Sequence, residues 1–439
     1  MSKRSRKQKK NSENYGTLRV FPEEIVLNIL SRLPFDTIFN CKLVSKYWQT
    51  LIALPSFAHM HLSFHRKLLR LDDDDNPAAA AAVNGGNVSL GILFSIHFTN
   101  YDKFKYGAYY GDYYEDKPFS YTSKSMSLLN HPQLNNNKSQ SYEIVGSCNG
   151  LVCYYVPFTE KRAFYVCNPM TKEYVYYLVD DKRHYWGEDN PKYISGFGYV
   201  QSSNEYKIVR INTDGGKIQV FTLGTDRRGW RDKGEIKGKW LQPYYISKVG
   251  MLANGALHWL DYATMKIMAF DLAKEEFDQV QSPPCFLPPG YVEKNDHFQL
   301  RVLGRFLCIV HLKLGNGVDI WSLKKIDQCW SWNKEFSIPA NQWDWNMYDL
   351  FALTNCGKLL LLKRHSFPCG SAFHVKLCSY DSHTATITPL VEDNQVGAML
   401  EFEAIPHINS FISLKALGIE NCKQRKKYQR KKYQRKVGH

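Results

Sequence analysis

The sequence predicts an α+β multidomain chain: a small three-helix module, then a mainly β body of about six propeller-like blades. Three observations carry this. Apolar residues recur at three- and four-residue spacing between positions 22 and 62. Beyond Val88 the period changes to alternating aromatic and β-branched runs, broken by Gly, Asn, Asp and Pro. Within that second part a short strand-and-turn phrase returns at a period near fifty residues.

The helical module begins at Pro22, whose missing N–H costs nothing in a first turn, and Glu23 and Glu24 then sit at the positive end of the helix dipole. Val26, Ile29, Leu30 and Leu33 form one apolar period. After Pro34 breaks the chain, Val44, Trp48, Leu51 and Ile52 form another, with a helical turn after Asp36 between them. A unit of about forty residues is too small to bury so many large side chains alone, so part of the apolar face must meet something else. That something is either a partner or the rest of this chain.

The stretch FPEEIVLNILSRLPFDTIFNCKLVSKYWQTLIALPSFAHMHL, Phe21 to Leu62, resembles an F-box, through Pro22, Ile25, Ile29, Leu30, Leu33, Pro34, Cys41, Val44, Ser45, Trp48 and Leu51. The family opens with Leu-Pro, where this chain has Phe21. The resemblance implies that Phe21, Pro22, Ile25, Ile29, Leu30, Leu33, Val44 and Trp48 bind a Skp-family adaptor, and through it cullin and RING subunits.

Charge divides the chain. Residues 1–10 hold six Lys or Arg and no acid, and residues 423–436 hold nine and no acid, which accounts for the whole net charge of +15. Residues 11–422 therefore carry 42 basic and 42 acidic residues, without the overall basic excess of a nucleic-acid-binding domain. The tails read as charge blocks for nuclear import or polyanion contact, or as solvated ends. Eleven cysteines, irregularly spaced and without a Cys-x-x-Cys pair, point to a reducing compartment; Cys148, Cys153, Cys167, Cys308 and Cys378 lie in apolar runs, as buried thiols do. No signal peptide or membrane-spanning run is evident, and the expected location is nucleus and cytoplasm.

The domain boundaries follow composition: a basic tail at 1–16, the helical module at 17–66, a linker at 67–87 containing DDDDNPAAAAAVNGGN, the β body at 88–416 and a second basic tail at 417–439. The alternative for the linker is that its alanines extend the preceding helix. In the body the repeated phrase starts at Val166, Phe221, Phe270, Trp321 and Tyr380, spaced 55, 49, 51 and 59 residues apart, with a sixth copy at Phe98. Such a period is shown by kelch-like β-propeller blades, each a four-stranded sheet buried against its neighbours. A pair of stacked β-sandwiches is the runner-up.

GSCNGLVCYY from Gly146, CNPMTKEY from Cys167, GFGYVQSSNEYKIVRI from Gly196, and NGALHWL from Asn254 followed by MAFDLAKEEFDQVQSPP resemble, in order, the F-box-associated domain of the large plant F-box family. The resemblance spans most of residues 90–415. It implies a substrate-recognition subunit of an SCF-type ubiquitin ligase, whose β domain recruits a protein target. Read physically, the Asn-Gly pairs are tight turns and His258-Trp259 a buried strand, so these phrases mark fold, not a substrate site.

Chemistry of its own is not indicated: no phosphate-cradling glycine loop, metalloprotease motif, nucleophile elbow or metal-spaced Cys/His cluster occurs, so neither catalysis nor a cofactor is expected. His365, His374 and His383, nine apart, read as coincidence. A glycan-binding or glycan-processing propeller is the alternative function. For target contact the leading candidate is the tyrosine-rich stretch Tyr101 to Tyr121, read as a recognition loop bearing Tyr109, Tyr110, Tyr113 and Tyr114. The competing reading is a blade edge with aromatic strand residues. A second candidate is Trp330 to Tyr348, whose Trp330, Trp332, Trp343 and Trp345 also suit packing between blades.

Overall fold

The structure is a computed structural model and describes residues 21–69, 71, 89–100, 103–114, 120–121, 143–156, 162–179, 193–213, 215–225, 229–236, 247–286, 296–313, 317–327, 329–338, 348–366, 373–390 and 399–424. Both basic tails up to 20 and from 425, and linker residues 72–88, lie outside this set.

Four helices open the chain: α1 (Glu23–Ser31), α2 (Phe35–Val44), α3 (Lys46–Ile52) and α4 (Pro55–Leu68). Pro22 and Pro34 are the N-caps of α1 and α2, and Ser45 caps α3 by accepting from the Trp48 N–H at 3.1 Å. The expected turn after Asp36 is a full helix. A further helix, α4, is added with Pro55 in its first turn, and its His61 and His65 both place Nε2 on the Leu33 carbonyl, at 3.1 and 3.2 Å. Val26, Leu30, Ile38, Leu51, Ile52, Phe57 and Leu62 are buried among the helices.

The body is a six-bladed β-propeller. β1 (Leu90–Asn100), β2 (Lys103–Tyr113) and β3 (Ser120–Tyr121) belong to blade 1. Blade 2 is β4 (Glu143–Cys148), β5 (Leu151–Val156), β6 (Ala163–Asn168) and β7 (Glu173–Leu178). Blade 3 is β8 (Tyr193–Val200), β9 (Glu205–Asn212), β10 (Lys217–Thr222) and β11 (Arg231–Glu235). Blade 4 is β12 (Met251–Ala253), β13 (Ala256–Asp261), β14 (Lys266–Asp271) and β15 (Glu276–Val280). Blade 5 is β16 (His297–Leu303), β17 (Phe306–Lys313), β18 (Gly317–Ile326) and β19 (Cys329–Ile338). Blade 6 is β20 (Tyr348–Leu353), β21 (Leu359–Ser366), β22 (Phe373–Asp381) and β23 (Thr386–Pro389).

The ring is closed by β24 (Met399–His407), which pairs antiparallel with β1 from Gly91 opposite His407 and becomes the inner strand of blade 1. Inner strands β24, β4, β8, β12, β16 and β20 each touch the next around the ring.

This closure explains the sequence period. The phrases at Val166, Phe221, Phe270, Trp321 and Tyr380 all fall on third strands. The sixth copy, at Phe98, is on β1, which is a second strand because its blade takes its first from the far end of the chain. The turn after the third strand repeats a device: Asn168, Asp271 and Asp381 accept from backbone N–H groups two and three residues on, and Lys172, Glu275 and Ala385 then take positive φ. The Asn-Gly pairs 149–150 and 254–255 both have positive φ at each residue, the hairpin turn that matches strand twist. Cys148, Cys153, Cys167, Cys308 and Cys378 are all buried.

Beyond β24 the chain returns beneath the helices. Phe411, Ile412, Leu414 and Ile419 are buried in one core shared by the helices and blades 2 and 3. Phe411 stacks on Phe35 at 4.3 Å. The Asn168 amide donates to the Ser410 and Ile412 carbonyls, at 3.1 and 2.7 Å, and the Glu173 carboxylate accepts from the Leu414 N–H at 2.6 Å. The segment ends as β25 (Lys423–Gln424), paired with β7. Residues 417–424, placed with the basic tail by composition, are thus part of the folded body.

Candidate adaptor surface and propeller mouth

The helical module has a buried side and an outer side, and its large apolar residues divide between them. Phe21, Ile25, Ile29, Phe39, Leu43 and Val44 are exposed, Leu43 to 85 %. They come from α1 with the residue before Pro22, and from the middle and end of α2, where Phe39 also lies 5.8 Å from the Phe411 ring. Pro22, Phe21, Ile25, Ile29 and Val44 of the expected adaptor set lie outside the core, whereas Leu30, 1 % exposed, supports the module from within. Leu33 and Trp48 are half-buried and pack on the same core. Leu43 stands outside the apolar periods read from sequence, and its exposure is visible only once the propeller's side of the module is known.

The propeller covers the other side. α4 donates from Arg66 Nη1 to Asn149 Oδ1 at 2.9 Å, and its Leu68 carbonyl accepts from Asn355 Nδ2 at 3.1 Å, so the helix spans the turns of blades 2 and 6. Burial and the neighbouring His65 push His61 down to about 3, keeping it neutral beneath the helices. Burial lowers Lys42, whose ammonium lies 4.7 Å from the Phe411 ring centre.

Within the tyrosine-rich stretch, Lys103–Tyr113 is the strand β2 and not a recognition loop. Tyr110 and Tyr113 lie on β2 and are 6 % and 5 % exposed. Tyr110 packs with Ile144 and Tyr154 of blade 2, and Tyr113 with Leu360 and Leu377 of blade 6. A blade is covered on both faces, so strand alternation leaves neither ring for a partner. The Tyr110 hydroxyl donates to Asp112 at 2.5 Å, and burial, then the Asp112 charge, pushes its pKa well up. Tyr114 is half-buried at the strand end; Tyr109 is opposite Phe94, its side chain outside the described set.

The tryptophans separate. Trp332 is buried between blades, donating Nε1–H to the Gln281 carbonyl at 2.7 Å, while Trp330 is 45 % exposed. Trp343 and Trp345 lie outside the described residues. His365 and His374 are register partners on β21 and β22, with His383 at the opposite end of β22, so the three do not converge. Among the described residues no group of His, Cys, Asp and Glu could hold a metal ion, and no helix is long and apolar enough to cross a membrane.

At the ring's centre, on the helix side, a cavity of about 2060 Å³ opens between α4 and the ends of the six inner strands. Arg66 and Lys67 stand on its α4 wall, Arg301 and Arg305 on blade 5, and Asp349 and Glu403 on blades 6 and 1. Arg301 and Asp349 pair at 2.6 Å.

Comparison with known proteins agrees with this architecture. Residues 19–59 match the F-box domain model and residues 114–393 the model described as "F-box associated beta propeller domain". The second match covers well over half of the chain, which therefore belongs to the family of F-box proteins with an F-box-associated β-propeller. Relatives include the F-box/kelch-repeat protein At3g23880 of Arabidopsis thaliana, 24% identical over 73% of this chain and 79% of that protein. F-box protein CPR1 of the same plant is 25% identical over 73% of each. Among solved structures, TolB from Acinetobacter baumannii is similar at TM-score 0.43 and 9% identity, covering 79% of this chain and 72% of TolB, too distant to add to the assignment.

Proposed function

We propose that this chain is a substrate-recognition subunit of an SCF-type cullin-RING ubiquitin ligase. The helical module binds a Skp-family adaptor, and the propeller holds a protein target near the ubiquitin-loaded enzyme. The observation that carries the reading is the exposed group Phe21, Ile25, Ile29, Leu43 and Val44, on a module whose other side is already buried against the propeller. Large apolar side chains exposed in this number on one small module mark an interaction surface. The chain supplies no nucleophile; it supplies proximity, which replaces a bimolecular encounter by a local one. Rigidity serves the same end, because the returning segment at Phe411 and the Arg66–Asn149 bond fix the adaptor face relative to the propeller. The proposed setting is nucleus and cytoplasm.

The test is co-purification of the full chain with a Skp-family adaptor. Ile29→Glu with Leu43→Glu should abolish capture while circular dichroism and the melting curve stay unchanged, since both residues are exposed. Undiminished capture would refute the reading.

A further inference from the structure

Blade 5 departs from blades 2 to 4. Its outer strands β18 and β19 are ten residues each, against five or six in β6, β7, β10, β11, β14 and β15. The extra length carries Ile326 and Trp330, 47 % and 45 % exposed, to the rim of the central cavity. Lys325 is the register partner of Trp330. Beside them, Arg305 and Lys324 lie over the Phe306 ring at 4.9 and 5.0 Å.

The cavity wall is basic where the body as a whole is not. Among its described lining residues are seven Lys or Arg and four Asp or Glu, while residues 11–422 balance at 42 of each. Asp349 neutralises Arg301 and Glu335 pairs with Lys324 at 2.6 Å, but Lys248 and Lys325 are exposed and carry no ion pair among the described residues. The volume of about 2060 Å³ exceeds the roughly 300–1,000 Å³ of small-molecule pockets. A rigid exposed Trp beside cations is the composition of an interface anchor. Nucleic acid fits less well, because single strands need successive stacking rings and this rim exposes one tryptophan, Trp330, among its described lining residues.

We infer that the propeller mouth on the helix side, with the β18–β19 tip as its rim, is the target-docking surface, and that it takes an acidic protein segment with an apolar anchor residue. The inference deepens the receptor reading and rests on it for the word target. Lys248 and Lys325 would meet the carboxylates, while Trp330 and Ile326 would cover the anchor.

The experiment titrates a fluorescein-labelled peptide of alternating Glu and Leu with one Phe into the full chain, alone and with a Skp-family adaptor. The Lys counterpart and an oligothymidylate serve as controls. The Glu peptide should bind, more weakly with added salt, and the controls should not. Trp330→Ser should weaken binding about tenfold or more, as should Lys248→Glu with Lys325→Glu, with the melting curve unchanged. No binding up to about 1 mM, equal binding of either control, or unaltered affinity of the variants would overturn the inference. Adaptor capture is read on the same samples: its loss refutes the receptor reading, whereas loss of peptide binding alone refutes only this site.

Discussion

Phe411 is the residue on which the joint between module and propeller turns. It is 7 % exposed, stacked on Phe35 at 4.3 Å and within 5.8 Å of Phe57 and 5.2 Å of His61. Phe411→Ala empties that space, and truncation of a buried Phe costs about 3–5 kcal/mol. The loss should fall on the joint because the ring contacts of Phe411 are Phe35 and Phe39 of α2 and Phe57 and His61 of α4. Hydrogen exchange measured peptide by peptide is the assay. At about 1.4 kcal/mol per tenfold, the amides of α2 and α4 should exchange on the order of a hundred- to a thousandfold faster, while β13 and β17 keep their protection. Unchanged helix protection would refute the view that this segment ties the module down. Uniform loss in every blade would show instead that the chain unfolds as one unit.

Four further outcomes follow from individual contacts. Glu275, 7 % exposed at its side chain, accepts from Lys207, Arg231 and Lys233 at 2.8, 2.7 and 2.5 Å; Glu275→Ala should cost about 3–5 kcal/mol in urea unfolding, because buried Lys207 loses its close counter-charge and keeps only the longer, 3.7 Å contact with Glu205. Gly150 has φ +83 and a Cβ there would collide with Ser410, so Gly150→Ala should destabilise by at least about 1 kcal/mol in the same assay. His61 and His407 are both lowered to about 3, burial being the leading cause, so both are neutral in the fold. Their contribution is full above the unfolded value near 6.5 and is lost as pH falls toward about 3, so the melting temperature should drop across that window, less so in His61→Gln. For import, a fluorescent fusion lacking residues 425–436 should shift to the cytoplasm with its melting curve intact. The cut begins after Gln424 because Lys423 and Gln424 pair with β7.

How far the fold could be read from sequence depended on whether a residue's surroundings are local. The turn phrases at Asn168, Asp271 and Asp381 are local chemistry, and they gave the blade period. The closure of β1 by β24 is not local, and it displaced the copy at Phe98 by one strand. The tyrosines of β2 misled because a Tyr-rich, Gly-containing stretch has the composition of a binding loop, while its burial on both faces comes from blades 2 and 6. In the adaptor surface the period located the helices, but Leu30 and Ile29, adjacent in sequence, were separated by which side of α1 the rest of the fold covers, Leu30 being 1 % and Ile29 55 % exposed.

The central claim is that the outer face of the helices is the adaptor surface. Its most direct test is the hydrogen-exchange footprint of a Skp-family adaptor on the full chain. Protection should appear in residues 21–31 and 39–46, and peptides from blades 3 to 5 should be unaffected. A footprint confined to the propeller, or none at saturating adaptor, would contradict the account.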